Sequence, residues 1–158
     1  GFWNMKENGS WIIATPFEKD NKLFFGTSDT HAFYALNNFY GEQKWKAAIP
    51  LRSYDTPASF DTLIIAGCFN GYLYGFGEST GKIEWVFQTD GSKKSYAAVY
   101  DSTGHFRKDF TMYGDDSTSR VGEEKVMSLG GILSSPIIKN GVVYFGSTDG
   151  NLYAVEIK

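Results

Sequence analysis

One sequence pattern recurs three times along the chain and restricts the fold more than any other feature. Its clearest copy is residues 134–158, in which Asn140-Gly141 and Asp149-Gly150 separate three short apolar runs. Asn-Gly and Asp-Gly supply the positive φ angles that two-residue hairpin turns require, and β-branched and aromatic residues flank both turns. This copy therefore predicts three antiparallel strands joined by tight turns.

The same spacing occurs twice upstream. In every copy a glycine follows a proline by ten residues, and a tyrosine follows that glycine by seven or eight residues. The prolines are Pro16, Pro57 and Pro136, the glycines Gly26, Gly67 and Gly146, and the tyrosines Tyr34, Tyr74 and Tyr153. Internal repeats of about 40 residues are typical of propellers and solenoids.

The first two copies continue in matching steps, through Gly41 to Trp45 and through Gly81 to Trp85. Each glycine permits a tight turn, and each tryptophan then lies on a fourth strand. One unit is therefore four short antiparallel strands, which is one propeller blade. A blade cannot bury both of its faces alone, so we expect these tryptophans and the repeat tyrosines to pack between blades, each indole burying on the order of 200 Å².

The repeat resembles the PQQ-like, or quinoprotein-type, β-propeller repeat of quinoprotein alcohol dehydrogenases and BamB-like envelope proteins. The resemblance covers nearly all of the chain except about 90–130, and it implies an all-β propeller fold. The residues that carry it are Ser135-Pro136, Val143 to Ser147, Asp149-Gly150, Leu152 to Ala154, and the Gly-x3-Trp steps that end at Trp45 and Trp85.

The repeats divide the chain, read as one partial propeller domain over residues 1–158, into three blades. Blade 1 covers about 12–49, blade 2 about 55–89 and blade 3 about 132–158. Trp3 precedes Pro16 at nearly the spacing that separates Trp45 from Pro57, so residues 1–6 resemble a fourth strand that would complete blade 3. The alternative is that neither end has structural meaning.

An insert of about 90–130 separates blades 2 and 3 and lacks the repeat spacing. It is either an excursion between blades or a divergent blade, and the absence of a Gly-x3-Trp step favours the excursion. We expect a short helix over 122–127, and we expect Phe106, Phe110, Met112 and Tyr113 to cap the edge of the propeller. Long loops in compact domains are often functional.

The residues offer little support for catalysis. Quinoproteins of the resembling family bind PQQ, use an Asp base and a calcium ion, and often carry adjacent cysteines, whereas Cys68 is the single cysteine here. Asp29 and Asp149 occupy turns in which Asp is favoured for backbone reasons. We therefore expect no catalytic residue, no metal ligand, and neither PQQ nor calcium. His31 and His105, the two histidines, are expected to be solvated loop residues.

The composition limits the classes of partner that the chain is expected to bind. The net charge of −3 gives no electrostatic case for nucleic acid, and no apolar run is long enough to span a membrane. Exposed loop aromatics are typical of protein contacts. The partner-binding candidates are Phe39, Tyr40, Tyr96, Tyr100, Phe106 and Tyr113.

Three blades do not close a ring, so the chain is either part of a larger propeller or assembles with itself. A monomer would leave both terminal blade faces open to water, which favours association. Two associated copies would give a closed six-bladed homodimer. The leading hypothesis is a non-catalytic scaffold for protein–protein interaction, which the resemblance places in the bacterial cell envelope, periplasmic or associated with the outer membrane. The alternatives are a fragment of a PQQ-dependent dehydrogenase and an accessory propeller attached to a separate catalytic domain such as a phosphoesterase.

Overall fold

The computed structural model describes residues 11–158, and the predicted strand that carries Trp3 lies outside them. Blades 1 and 2 are four-stranded antiparallel sheets with the strands in sequence order. Blade 1 consists of β1 (Phe17–Lys19), β2 (Lys22–Gly26), β3 (Ala32–Asn37) and β4 (Gln43–Ala48). Blade 2 consists of β5 (Ala58–Phe60), β6 (Leu63–Gly67), β7 (Tyr72–Gly77) and β8 (Ile83–Gln88).

Blade 3 has three strands in the part of the chain that the structure describes: β9 (Ile137–Lys139), β10 (Val142–Gly146) and β11 (Leu152–Glu156). The sheet order is β11-β10-β9, so β11 forms one edge. Asn140 and Gly141, with φ angles of 53° and 77°, form the predicted turn between β9 and β10. The prediction of all-β propeller blades is confirmed.

Two hydrophobic clusters hold the blades together. The first joins the β2, β3 and β4 face of blade 1 to blade 2 and contains Phe33 and Phe76, whose rings stack with centroids 4.7 Å apart. The second joins the opposite face of blade 2 to blade 3 and contains Leu73 and Val143. Because strand side chains alternate between faces, blade 2 is buried on both sides and lies between its two neighbours.

The side chain of Trp45, on β4 of blade 1, packs against blade 2. Its indole N–H donates to the Glu78 carbonyl at 2.8 Å, and the side chain is buried. The ring lies so close to Gly81 that a Cβ there would come within 2.6 Å of it. Trp85, its equivalent in blade 2, is half-buried at the edge of the second cluster.

The faces of the two terminal blades differ, which corrects the expectation that both are open. On blade 1, Phe25 and Tyr34 are buried with their rings stacked at 5.7 Å. On blade 3, Ile137, Tyr144 and Leu152 are exposed. The open face of the described structure therefore belongs to blade 3.

The insert contains helices and no strand over residues 90–130, all of which the structure describes, so it is an excursion between blades. Its helices are α1 (Asp90–Ser95), a short 3-10 helix (Tyr96–Ala98) and α2 (Asp116–Met127). The predicted helix over 122–127 was too short. α2 begins earlier because Asp115 acts as its N-cap, accepting a hydrogen bond from the Thr118 N–H at 2.8 Å.

Two linkers connect the blades in the same way: the first linker, residues 49–57, and the second linker, residues 131–136. Each donates one backbone hydrogen bond to the blade behind it and accepts one from the blade ahead. In the first linker, Ser53 N–H bonds Thr27 O at 3.3 Å, and Phe69 N–H bonds Arg52 O at 2.9 Å. In the second linker the equivalent bonds are Ile132 N–H to Cys68 O at 3.1 Å and Thr148 N–H to Gly131 O at 3.0 Å.

These bonds bring each linker against the glycine that ends the second strand of the preceding blade. A Cβ at Gly26 would lie 2.4 Å from the Ser53 side chain, and one at Gly67 would lie 2.4 Å from the Ile132 side chain. The close approach of the following linker therefore explains why the repeat carries a glycine at positions 26 and 67.

Candidate functional site

The connections between strands divide the molecule into two sides. The β2–β3 and β6–β7 connections, both linkers and the insert lie on one side, which we call the linker side. The short β1–β2 and β3–β4 turns and their equivalents lie on the other, the turn side, as antiparallel connectivity requires. The linker side carries the longest irregular segments and is therefore the first place to look for a binding surface.

The two ends of the insert are held together at Thr89. Thr89 caps α1 by accepting from the Ser92 N–H at 3.2 Å, and its hydroxyl lies within hydrogen-bonding distance of the carbonyls of Leu129 and Gly130, at 3.1 and 3.2 Å. One buried threonine thus connects the start of the insert to its end.

A second tie joins the insert to blade 3. Asp149 Oδ2 accepts from the Gly91 N–H at 3.0 Å and from the Tyr153 hydroxyl at 2.7 Å. The Tyr153 hydroxyl in turn accepts from the Asp90 N–H at 2.9 Å. These bonds give Asp149 and Tyr153 a structural role at the junction of the insert and blade 3.

The middle of the insert covers the first hydrophobic cluster. Phe110 and Met112 pack against it, as expected for residues that cap the edge of the propeller. Tyr113 remains 68% exposed. The segment therefore buries one part of its apolar surface and presents another to solvent.

A small groove lies where this segment meets the first linker. Arg52 donates to the Tyr113 hydroxyl, and its guanidinium lies 5.9 Å from the Tyr113 ring centroid and 6.0 Å from that of Phe69. The cavity has a volume of about 140 Å³, and its remaining lining residues are Met112, Ser119, Glu123, Val126 and Met127. A cation held among aromatic and methionine side chains is an arrangement suited to a protein contact.

A column of aromatic rings supports the rest of the insert. Tyr72 of β7 meets Tyr96 at 6.0 Å, Tyr96 stacks on Tyr100 at 4.6 Å, and Tyr100 stacks on Phe106 at 5.2 Å. Tyr100 and Phe106 also form a β-bridge. The column ends at Phe110, which joins the first cluster.

The partner-binding candidates do not form one surface. On the linker side, Tyr113 is exposed, Phe106 is exposed at its edge, and Tyr96 is half-buried. Tyr100 was a wrong choice, because it is only 2% exposed inside the aromatic column. Phe39 and Tyr40 are exposed in the β3–β4 turn, on the opposite side of the blades.

A buried carboxyl group on the linker side, that of Asp55, was not predicted from the sequence. Asp55 is 1% exposed, and its Oδ2 and Oδ1 accept hydrogen bonds from the Gly67 N–H at 2.7 Å and the Ser53 hydroxyl at 2.9 Å. Burial raises the pKa of Asp55 to about 7, although both hydrogen bonds oppose that rise.

A signal for this contact was present in the repeat. Asp55 precedes Pro57 by two residues, as Ser134 precedes Pro136. The Ser134 hydroxyl accepts from the Gly146 N–H at 2.7 Å, which is the same bond that Asp55 receives from Gly67. Asp55 therefore has a structural role, since its carboxylate joins the first linker to the end of β6 by a hydrogen bond.

Two further titratable groups in the described part of the chain, Cys68 and His31, have pKa values that burial shifts. Burial raises the pKa of the Cys68 thiol to about 12, and its sulfur lies 3.4 Å from the Leu51 carbonyl. Burial lowers the pKa of His31, and nearby Arg52 lowers it further. Among residues 11–158 no group of three or more His, Cys, Asp or Glu side chains is placed to hold a metal ion. No described helix is long and apolar enough to cross a membrane.

This architecture matches that of known proteins. A family model described as "Outer membrane protein assembly factor BamB" matches residues 2–158. A curated relative, the outer membrane protein assembly factor BamB of Yersinia pestis, is 25% identical over 171 residues, covering 98% of this chain and 44% of the relative.

Solved structures agree on the fold. BamB from Moraxella catarrhalis superposes with a TM-score of 0.62 at 16% identity, over 95% of this chain and 38% of that one. A europium-containing methanol dehydrogenase superposes with a TM-score of 0.56 at 17% identity, over 84% and 25% of the two chains. The chain thus spans less than half the length of these relatives.

Proposed function

Because the chain belongs to the family described as outer membrane protein assembly factor BamB, we propose that it is a non-catalytic propeller scaffold that binds protein partners in the bacterial cell envelope. The family match over residues 2–158 is the observation that carries this proposal. The resemblance that the repeat alone indicated is confirmed by it. The envelope location and the class of partner, proteins that act in outer-membrane assembly, are proposed from the same membership.

The linker side supports the scaffold role. The insert is fixed at both ends by Thr89 and carries Tyr113 on its surface beside the Arg52 groove. A rigid platform loses little conformational entropy when a partner binds. We therefore assign the partner contact to Tyr113, Phe106 and the groove.

Site-specific photo-cross-linking in the envelope tests this assignment. A benzophenone amino acid replaces Tyr113 in the full chain, directed to the periplasm of a bacterium that carries this family. The matched control places the same group at Tyr40, which is 81% exposed on the turn side. We expect a covalent adduct with an outer-membrane assembly protein at position 113. No adduct at that position, or the same adduct at both, would contradict the assignment.

The non-catalytic role is tested separately. The quinoprotein dehydrogenase structures share the fold at 16% to 17% identity, which carries no information about activity. We propose that the chain binds neither PQQ nor calcium. PQQ and Ca²⁺ added to the purified chain should give no bound chromophore and no dye-linked alcohol oxidation. A saturable absorbance change would support the dehydrogenase alternative.

A further inference from the structure

The described part of the chain contains two Asn-Gly pairs that differ in their surroundings. Asn70-Gly71 lies in the connection between β6 and β7, and Asn140-Gly141 forms the turn between β9 and β10. A third pair, Asn8-Gly9, lies outside the described residues. Glycine has no Cβ, so its backbone nitrogen can approach the side-chain carbonyl of a preceding asparagine with little steric hindrance. Because both described pairs have the same residue types, their structure decides which of them reacts.

The side-chain amide of Asn70 is held at both its oxygen and its nitrogen. The residue is 1% exposed, its Oδ1 accepts from the Tyr72 N–H at 3.1 Å, and its Nδ2 donates to the Tyr74 hydroxyl at 2.9 Å. The Gly71 N–H donates to the Cys68 carbonyl at 3.1 Å. A reaction between the Gly71 nitrogen and the Asn70 side chain would therefore have to break these bonds inside a buried turn.

Asn140 lacks these restraints. It is exposed, and its side chain makes no hydrogen bond with any described residue. The Gly141 N–H also has no acceptor among the described residues, whereas the Gly141 carbonyl accepts from the Ile157 N–H at 2.8 Å. Outside the turn itself, the nearest described atom to a Cβ added at Gly141 would belong to the Phe60 ring, 3.7 Å away. The Asn140 amide is therefore free to rotate beside a backbone nitrogen that makes no hydrogen bond.

We propose that Asn140 is a site of spontaneous covalent modification, at which the folded chain converts asparagine to aspartate and isoaspartate while Asn70 is protected. The Gly141 backbone nitrogen gives up its proton to base and attacks the side-chain carbon Cγ of Asn140. A bond forms between this nitrogen and Cγ, and the bond from Cγ to Nδ2 breaks. Nδ2 takes a proton from the solvent and leaves as ammonia, so that the chain carries a succinimide ring.

Water then opens the succinimide at either of its carbonyl carbons. Cleavage at Cγ gives aspartate, and cleavage at the backbone carbonyl carbon gives isoaspartate, in which the main chain runs through Cγ. The overall change consumes a water molecule and releases ammonia, and it needs no oxidant, reductant or cofactor. At neutral pH both products place a negative charge at a position that was neutral.

Isoaspartate has a structural consequence that aspartate lacks. It adds a carbon atom to the main chain of a two-residue turn, which lies between the paired residues Lys139 and Val142. The Gly141 carbonyl that accepts from the Ile157 N–H lies in the same turn. We therefore expect the amide of Ile157 to exchange its hydrogen faster in the isoaspartate form than in Asn140→Asp, which carries the charge without the added carbon.

Timed incubation of the full purified chain, followed by peptide mapping with mass spectrometry, tests the assignment. The peptides that contain residues 70 and 140 are compared for the mass gain of an amide-to-acid exchange, and electron-transfer fragmentation separates isoaspartate from aspartate. In the folded chain we expect conversion at Asn140 to be at least about tenfold faster than at Asn70, because Asn70 reacts only when its turn opens. The rate at Asn140 should rise with pH, since base removes the Gly141 proton.

Two controls tie the result to the structure. In concentrated urea, where both turns are unfolded, the two rates should become similar. Asn140→Gln should abolish the conversion at position 140 and leave that at Asn70 unchanged, because the longer side chain cannot form the same ring. Equal rates at the two positions in the folded chain, or a difference that urea leaves unchanged, would overturn the proposal. The proposal does not depend on the envelope function.

Discussion

Alanine at Gly81 should destabilise the protein more than alanine at Gly150, and the difference should report the contact between blades 1 and 2. Both glycines have positive φ angles, 67° at Gly81 and 84° at Gly150. An alanine pays about 1–2 kcal/mol at either position for the left-handed conformation. At Gly150 no atom lies within 4 Å of the added Cβ, whereas at Gly81 the Trp45 ring lies 2.6 Å away.

Forcing a methyl group into a packed contact adds about 1–3 kcal/mol. We therefore expect Gly81→Ala to lose that much more unfolding free energy than Gly150→Ala, measured by urea denaturation followed by circular dichroism. In a Trp45→Leu background the excess should shrink, because the indole that meets the methyl group is gone. Equal losses for the two alanine variants, or an excess that persists without the indole, would refute this account of the blade junction.

Three further predictions concern single buried groups. Asp55 keeps its proton to a higher pH in the folded than in the unfolded state, with a pKa near 7 against 3.8, so unfolding free energy should fall by about 4 kcal/mol as pH rises from about 4 to above 7; urea denaturation at several pH values should show a shallower fall in Asp55→Asn. Thr89→Val removes the α1 cap and the bridge to residue 129, so it should lower unfolding free energy by about 1–2 kcal/mol and raise amide hydrogen exchange across the insert. The Tyr100 hydroxyl is buried without a hydrogen-bond partner among the described residues, so Tyr100→Phe should raise stability by about 1 kcal/mol, and a loss in thermal denaturation would contradict this reading.

The blades could be predicted from the sequence because their signals are local. The backbone geometry of a two-residue turn such as Asn140-Gly141 follows directly from the residue types in the turn. The equal spacing from Gly41 to Trp45 and from Gly81 to Trp85 predicted the fourth strand of blades 1 and 2. Repetition then made each weak signal visible two or three times.

The insert and the buried carboxyl were harder to predict because their causes are distant contacts. The burial of Tyr100 depends on Tyr96 and Phe106 stacking on either side of it. The environment of Asp55 depends on Gly67, which approaches only when β6 is in place. The sequence predicted only the second half of α2, whereas the Asp115 cap starts the helix earlier, at a run of Ser and Thr.

The second linker makes the same backbone bonds as the first, although an insert of about 40 residues separates it from the last strand of the preceding blade. Blade 2 and blade 3 are therefore joined by the same backbone bonds as blade 1 and blade 2, although the chain between Gln88 and Gly131 forms an insert. Because the insert makes none of these four linker bonds, a shorter loop in its place should leave them intact.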